Sequence, residues 1–206
     1  MSGWWERAIV PHIIRLGCGC RMMAEHRAGL IPEAAGRVLE LGMGAGANLP
    51  FYDVSKVSEV IGVEPSPGLR AMAAQAARAA GLTVGIEDGV GEELRFDSGA
   101  FDTVVCTFTL CSVDDPERML AEARRVLRPG GVLLFHEHGS APDPGVATWQ
   151  RRIEPLWKPV FGGCHLSRPV GSAISRHFTI DRIDGFYQPK TPRFAGWMET
   201  GRALAS

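Results

Sequence analysis

A chain of 206 residues with 45% hydrophobic and 22% charged residues has room for one domain with a substantial core, and lacks the bias of a disordered, collagenous or coiled-coil protein. Its formal net charge of −1 gives no sequence-independent grip on a phosphate backbone, so nucleic acid is not expected as a partner. Five cysteines, Cys18, Cys20, Cys106, Cys111 and Cys164, are odd in number and do not form a disulfide framework in a chain of this size, which points to a reducing cytoplasm.

In chain order, residues 4–30 read as helical lead-in segments, with Ile9, Ile13, Ile14 and Leu16 apolar and a break at Gly17 and Gly19. Met1 to Leu16 holds no long apolar core and no small-residue cleavage site, and no uncharged run reaches spanning length, so membrane contact is expected to be peripheral at most. From Arg37 short apolar runs alternate with helical stretches: 38–41, 60–63, 83–86, 103–106 and 132–135. That alternation predicts an α/β fold, a parallel sheet with helices on both faces.

Ser66 caps a helix whose inner face is Leu69, Met72, Ala73, Ala76 and Ala80, ended by Gly81. Asp115 caps another, with Pro116 in its first turn and a stripe of Met119, Leu120, Ala123, Val126 and Leu127 that Pro129-Gly130-Gly131 stops. Past residue 139 the chain reads as irregular, rich in proline, tryptophan and glycine, before two strand-like stretches at 178–183 and 197–204. The expected organisation is a single domain over 1–206: a lead-in to residue 35, a ligand-binding core over 36–139 and an acceptor-side segment with the last two strands over 140–206.

Val38 to Leu41 runs into Gly42-Met43-Gly44-Ala45-Gly46-Ala47-Asn48, a strand, a glycine-rich turn and a helix start, where an open α/β sheet binds nucleotide-like ligands. Glycine turns alone are weak signals. Here the spacing is G-x-G-x-G, with Ala47 where the dinucleotide fingerprint has its third glycine, which disfavours a pyrophosphate cradle. Glu40 precedes the loop, and its charge repels a pyrophosphate but attracts the ammonium and sulfonium of S-adenosylmethionine; the bland alternative is a carboxylate that accepts loop N–H bonds. Glu64, followed by Pro65, lies twenty residues after Gly44, the distance at which an acid reaches ribose hydroxyls in this architecture.

Further on come Gly91-Glu92-Glu93-Leu94, Phe101-Asp102-Thr103-Val104 and Arg125-Val126-Leu127-Arg128-Pro129-Gly130-Gly131. With the glycine loop, these resemble in the correct order the A-E-x-L, F-D-x-V and R-x-L-x-P-G-G motifs of class I methyltransferases of the methyltransferase-11 type. The resemblance covers roughly residues 36–139. It implies a Rossmann-like, seven-stranded, mostly parallel sheet with the last strand antiparallel, and S-adenosylmethionine as cofactor, held by Glu40, Gly42, Met43, Gly44, Gly46, Asn48, Glu64, Pro65, Gly91, Glu92, Cys106 and Thr107. Where many members have an adenine-binding aspartate, this chain has Val90, leaving that contact to Glu92 or the backbone.

A narrower likeness lies in residues 104–113, in Glu137-His138, in Trp149-Gln150 and in Glu154-Pro155-Leu156-Trp157-Lys158. These are similar to the methyltransferase-like proteins of animals that methylate small alkyl thiols, and to their bacterial relatives. The animal proteins carry an N-terminal membrane anchor, which is not expected here. The resemblance implies a small-molecule acceptor, a thiol favoured over a lipid or quinone-like substrate methylated at N, O or C, and over a non-catalytic cofactor-binding module.

A thiol is partly ionised at neutral pH and is strongly nucleophilic, so little acid–base machinery is required. His138, at the carboxyl-end side of the sheet, is the first candidate for a base or acceptor-orienting group, against the alternative of a histidine that fixes its loop. His165, after Gly162 and Gly163, is the second; the bland reading is a turn with a packed Cys and His. Cys18-Gly19-Cys20 has no zinc spacing, and no metal is expected.

Overall fold

A computed structural model describes residues 21–205; the lead-in stretch over 4–20 lies outside the described residues. The strands are β1 (Gly36–Leu41), β2 (Val57–Val63), β3 (Val84–Glu87), β4 (Phe101–Thr107), β5 (Leu127–His138), β6 (Thr179–Tyr187) and β7 (Trp197–Leu204). The helices are α1 (Arg21–Leu30), α2 (Pro67–Ala77), α3 (Pro116–Val126), α4 (Pro144–Trp157), α5 (Val170–Ser175) and α6 (Arg193–Gly196). The strands form one sheet in the order β3-β2-β1-β4-β5-β7-β6. β1 to β5 are parallel, and β7 lies antiparallel between β5 and β6, as the Rossmann-like expectation requires.

Two cores follow from the two-residue period of the strands. Leu39, Leu41, Val104, Leu133 and Phe135 face one way and pack with Met119, Leu120, Ala123 and Val126 of α3 and Val170, Ala173 and Ile174 of α5. Val38, Val60, Val105 and Leu134 face the other way and meet Leu30 of α1 and Ala73 of α2. The sheet is therefore covered on both faces, which is why its central strands read as unbroken apolar runs. No helix among the described residues is long and apolar enough to cross a membrane.

The caps form as the residues dictate. Ser66 Oγ accepts the Leu69 N–H at 3.4 Å and Asp115 Oδ1 the Arg118 N–H at 3.0 Å. Three sequence expectations change. α2 stops at Ala77, and Ala79 and Ala80 continue only as i−3 turns. α3 stops at Val126, because Leu127 is already extended (φ −74°, ψ 137°) and begins β5. Pro129-Gly130-Gly131 is thus not a helix stop but a bulge inside that strand, where pairing jumps from Phe101 with Leu127 to Thr103 with Val132.

The third change is larger. Residues 144–157, read as irregular, form α4 in spite of Pro155. Its first turn accommodates Pro144, and its buried Gln150 accepts the Ala141 N–H and donates to the Gly139 carbonyl, at 2.9 and 3.1 Å. Tertiary bonds to the loop after β5 therefore hold a helix that local signals disfavour.

Candidate active site

β1 lies between β2 and β4, at the point where the strand order reverses, and the loop that leaves its carboxyl end is the glycine loop. Gly42, Gly44 and Gly46 all take left-handed backbone angles, φ 64°, 58° and 78°. Their roles differ. A Cβ on Gly42 would strike the Thr109 side chain and one on Gly46 would strike Leu49, whereas one on Gly44 meets nothing nearer than the Gly42 carbonyl oxygen, at 3.9 Å. Gly44 thus offers bare backbone to open space, and the other two permit close packing beneath it.

Glu64, at the end of β2, holds this loop. Its Oε2 accepts the Gly44 N–H at 3.0 Å and its Oε1 the Ser66 N–H at 2.9 Å. Burial pushes its pKa up, while those two donors and the nearby Arg70 charge oppose the rise. Glu40 is not the bare charge that its place before the loop suggests. It is 1% exposed and accepts hydrogen bonds from Asn48 Nδ2 at 2.9 Å and from the Tyr52 hydroxyl at 2.7 Å. Burial lifts its pKa to about 7 against the effect of those bonds and of Arg27. Arg27 Nε in turn donates to Asn48 Oδ1 at 2.8 Å, so α1 is tied into the same network.

These groups wall one end of a cavity of about 560 Å³, within the range of small-molecule sites. Of the residues expected to hold the cofactor, Glu40, Gly42, Met43, Gly44, Asn48, Glu64, Pro65, Gly91, Glu92 and Thr107 line it. Gly46 lies below it against Leu49 and Ala76. Cys106 is turned into the core, its Sγ 3.3 Å from Glu137 Oε1. Glu92 reaches the cavity and also accepts the Asp114 N–H at 3.1 Å. Val90, 45% exposed, lines the same space.

The other end of the cavity is mostly apolar, with Phe108, Trp157, Phe161 and Met198, and it carries Cys111, His138 and Cys164. His138 is the last residue of β5 rather than a loop residue past it. Its Nε2 bonds to the Ala195 carbonyl, and its Nδ1 is 3.9 Å from Cys164 Sγ. Burial, the largest single influence, opposes a charge on His138, but the Cys164 sulfur, the Ala195 carbonyl and the Glu137 charge together outweigh it, so its pKa is raised. Cys164 moves the opposite way: the Cys111 thiol, which donates toward it, and His138 lower it to about 5 against the effect of burial. His165 stands off the cavity, its Nδ1 on Glu154 Oε1 at 3.0 Å.

Sequence reasoning missed the group that shapes this end. Glu137 is fully buried and accepts the N–H groups of Thr109, Leu110 and Cys111 at 2.8, 3.0 and 3.2 Å. It pins the turn after β4, in which Phe108 takes a left-handed conformation unusual for a side-chain-bearing residue (φ 56°). An acid within an apolar strand, Leu133 to His138, was the available signal.

The methyltransferase domain family matches residues 39–135, the span that holds the glycine loop, Glu64 and the Glu92 turn. The chain carries a methyltransferase domain over that span. It is 39% identical over 144 residues to thiol S-methyltransferase TMT1B of Rattus norvegicus, a match covering 68% of this chain and 58% of that protein. To thiol S-methyltransferase TMT1A of Homo sapiens it is 36% identical over 150 residues, covering 70% and 60%. The chain therefore spans less than two thirds of the length of those curated relatives. The fold also matches a solved S-adenosylmethionine-dependent methyltransferase from Mesorhizobium loti, with a TM-score of 0.67 at 22% identity over 91% of this chain and 100% of that one.

Proposed function

We propose that the protein transfers a methyl group from S-adenosylmethionine to a small apolar thiol. The observation that carries this reading is the cavity itself: one continuous space joins the Glu64–Gly44 end to an apolar end bearing an imidazole. The residues present fit the cofactor. Glu64 spends one lone pair of each oxygen on the loop, leaving the others for ribose hydroxyls, and Gly44 leaves its backbone bare for a close approach. Glu40, poised near pKa 7, becomes fully ionised when a cation settles beside it, so its buried carboxyl favours the ammonium-bearing end. Val63, Leu69 and Val90 supply apolar walls for the base.

When bound, S-adenosylmethionine supplies a methyl group already activated by its sulfonium. The chain's own task is to align an acceptor and exclude water. Phe108, Trp157, Phe161 and Met198 desolvate a small apolar group at the far end. His138, held by the Ala195 carbonyl, keeps more positive charge at neutral pH than a free histidine and so favours an anionic sulfur beside it. Asp114 also lines the cavity, but a thiol needs no general base, whereas an acceptor that must lose a proton from nitrogen or carbon does. We place the activity on a small molecule in the cytoplasm, away from nucleic acid; the net charge of −1 and the free thiols of Cys106, Cys111 and Cys164 support this.

The test is methyl transfer from labelled cofactor to a panel of alkyl and aryl thiols, amines and quinols. Thiols are expected to be methylated at least ~10-fold faster than the rest. Labelling of amines or quinols alone would refute the acceptor, and the absence of cofactor binding would refute the whole reading.

A further inference from the structure

Two thiols at the acceptor end, Cys111 and Cys164, go beyond what cofactor binding and methyl transfer to a thiol require, and His138 Nδ1 stands 3.9 Å from the Cys164 sulfur. The three residues come from separate segments. Cys111 lies in the turn pinned by Glu137, His138 ends β5, and Cys164 follows Gly162-Gly163 after α4. The segments are joined by a backbone bond from the His165 N–H to the Cys111 carbonyl at 2.7 Å, which sets residues 111 and 164 side by side. The backbones are so close that a Cβ on Gly163 would come within 3.2 Å of the Ser112 carbonyl oxygen. Both sulfur-bearing residues line the cavity, Cys111 being 2% exposed and Cys164 more open.

We propose that Cys164 and Cys111 form a thiol–disulfide exchange centre in the cavity wall, with a low-molecular-weight disulfide, RSSR, as its substrate. Cys164 is the attacking sulfur: it is the more accessible of the pair, it sits beside an imidazole, and both neighbours favour its thiolate. The Cys164 thiolate forms a bond to one sulfur of RSSR, the RS–SR bond breaks, and the leaving sulfur takes the His138 proton to depart as RSH. Cys111, whose pKa is held well up by its bond to Cys164 and by burial, keeps its proton until this step is over. Its sulfur then attacks Cys164, forming the Cys111–Cys164 disulfide and releasing a second RSH that carries the Cys111 proton. RSSR is reduced by two electrons and the two cysteines are oxidised by two. A low-molecular-weight thiol, in excess, reverses the exchange and resets the pair.

The exchange is independent of the methyl-transfer reading, since it needs neither cofactor nor acceptor. If both hold, each disulfide that enters yields thiols inside the cavity where the acceptor binds, and the oxidised pair draws its wall together.

The experiment incubates the reduced full-length protein with bis(2-hydroxyethyl) disulfide and follows intact mass and peptide maps. The wild-type mass is expected to fall by about 2 Da, two thiol hydrogens lost, with a Cys111–Cys164 cross-link in the map. Cys111→Ser should stop at a mixed disulfide on Cys164, and Cys164→Ser should form neither adduct nor cross-link. Within one wild-type molecule Cys164 should react at least ~10-fold faster than the buried Cys106, a comparison that needs no variant to fold. A first adduct on any other cysteine, a wild-type map without the 111–164 link, or an unchanged mass overturns the proposal. Loss of methyl transfer with exchange intact, or the reverse, separates this proposal from the previous one.

Discussion

Glu64 carries two loads that a substitution separates. Its carboxylate fixes the glycine loop through the Gly44 and Ser66 N–H groups, and in the proposed function it accepts ribose hydroxyls. Glu64→Gln keeps the shape and one oxygen but turns the other acceptor into a donor. One charge-assisted hydrogen bond to the ligand is then lost, at about 1.5–3 kcal/mol. This corresponds to an affinity roughly 10- to 150-fold weaker. One loop N–H also faces an amide hydrogen, at a folding cost of about 1–3 kcal/mol. Isothermal calorimetry with S-adenosylmethionine and with its demethylated product measures the first effect, and urea denaturation without ligand the second. A variant that is folded and binds both compounds within twofold of wild type refutes the assignment of Glu64 to the ribose.

Other perturbations test separate parts of the structure. Gly44→Ala should weaken cofactor binding by about tenfold with a folding cost of only ~1–2 kcal/mol, because the new methyl meets the space left for ligand while the backbone is left-handed; equal losses of binding and stability would argue against a cradle. Glu137→Ala should destabilise by about 3–5 kcal/mol, since it strands the buried N–H groups of Leu110 and Cys111 and the half-buried one of Thr109 in the turn after β4, and thermal denaturation reads this directly.

His136 is 1% exposed, and neither ring nitrogen has a hydrogen-bond partner among the described residues; burial above all, then the charges of His26, Arg27 and His138, lowers its pKa to about 3. The unfolded chain therefore binds more protons than the folded one between about pH 6.5 and pH 3, and wild-type stability falls as pH drops through that window. His136→Phe should flatten this acid limb in urea titrations at pH 7 and pH 5. Glu117 acts in the same direction over a lower window: its bonds to Arg176 and His177 lower its pKa to about 2, so its contribution is full above about pH 4.5 and is lost as pH falls through 2. The pair with Arg176 is half exposed, so Glu117→Gln should cost at most ~1 kcal/mol at pH 7 and nothing near pH 2.

The geometry of the Glu64–Gly44 end of the cavity was legible because it is contiguous: a strand, its glycine turn and one acid after the next strand are all set by near-neighbour spacing. Glu64 and Gly44 stand where that spacing puts them, bonded to each other. Glu40 was read correctly as near the loop but not as a buried group bonded to Tyr52, since a contact across the 3-10 turn at Leu49–Phe51 leaves no periodic trace. The acceptor end was not legible. Cys111, Trp157, Cys164 and Met198 meet only through tertiary packing, and the helix that carries Trp157 contains a proline that argues locally against it. His138 could be placed at a sheet end by its position after an apolar run, whereas the direction of His165 depends on Glu154, eleven residues away and in another element.

The placement of β7 between β5 and β6 bears on how the molecule is made. β6 precedes β7 in the chain, yet among the described residues its sheet partner is β7 alone. As the polypeptide emerges from the ribosome, residues 179–187 appear with an open edge and no strand to dock on until 197–204 follow. The cavity wall that includes Ala195 and Met198 is completed only after translation has passed them, so this part of the site closes last in the order of synthesis.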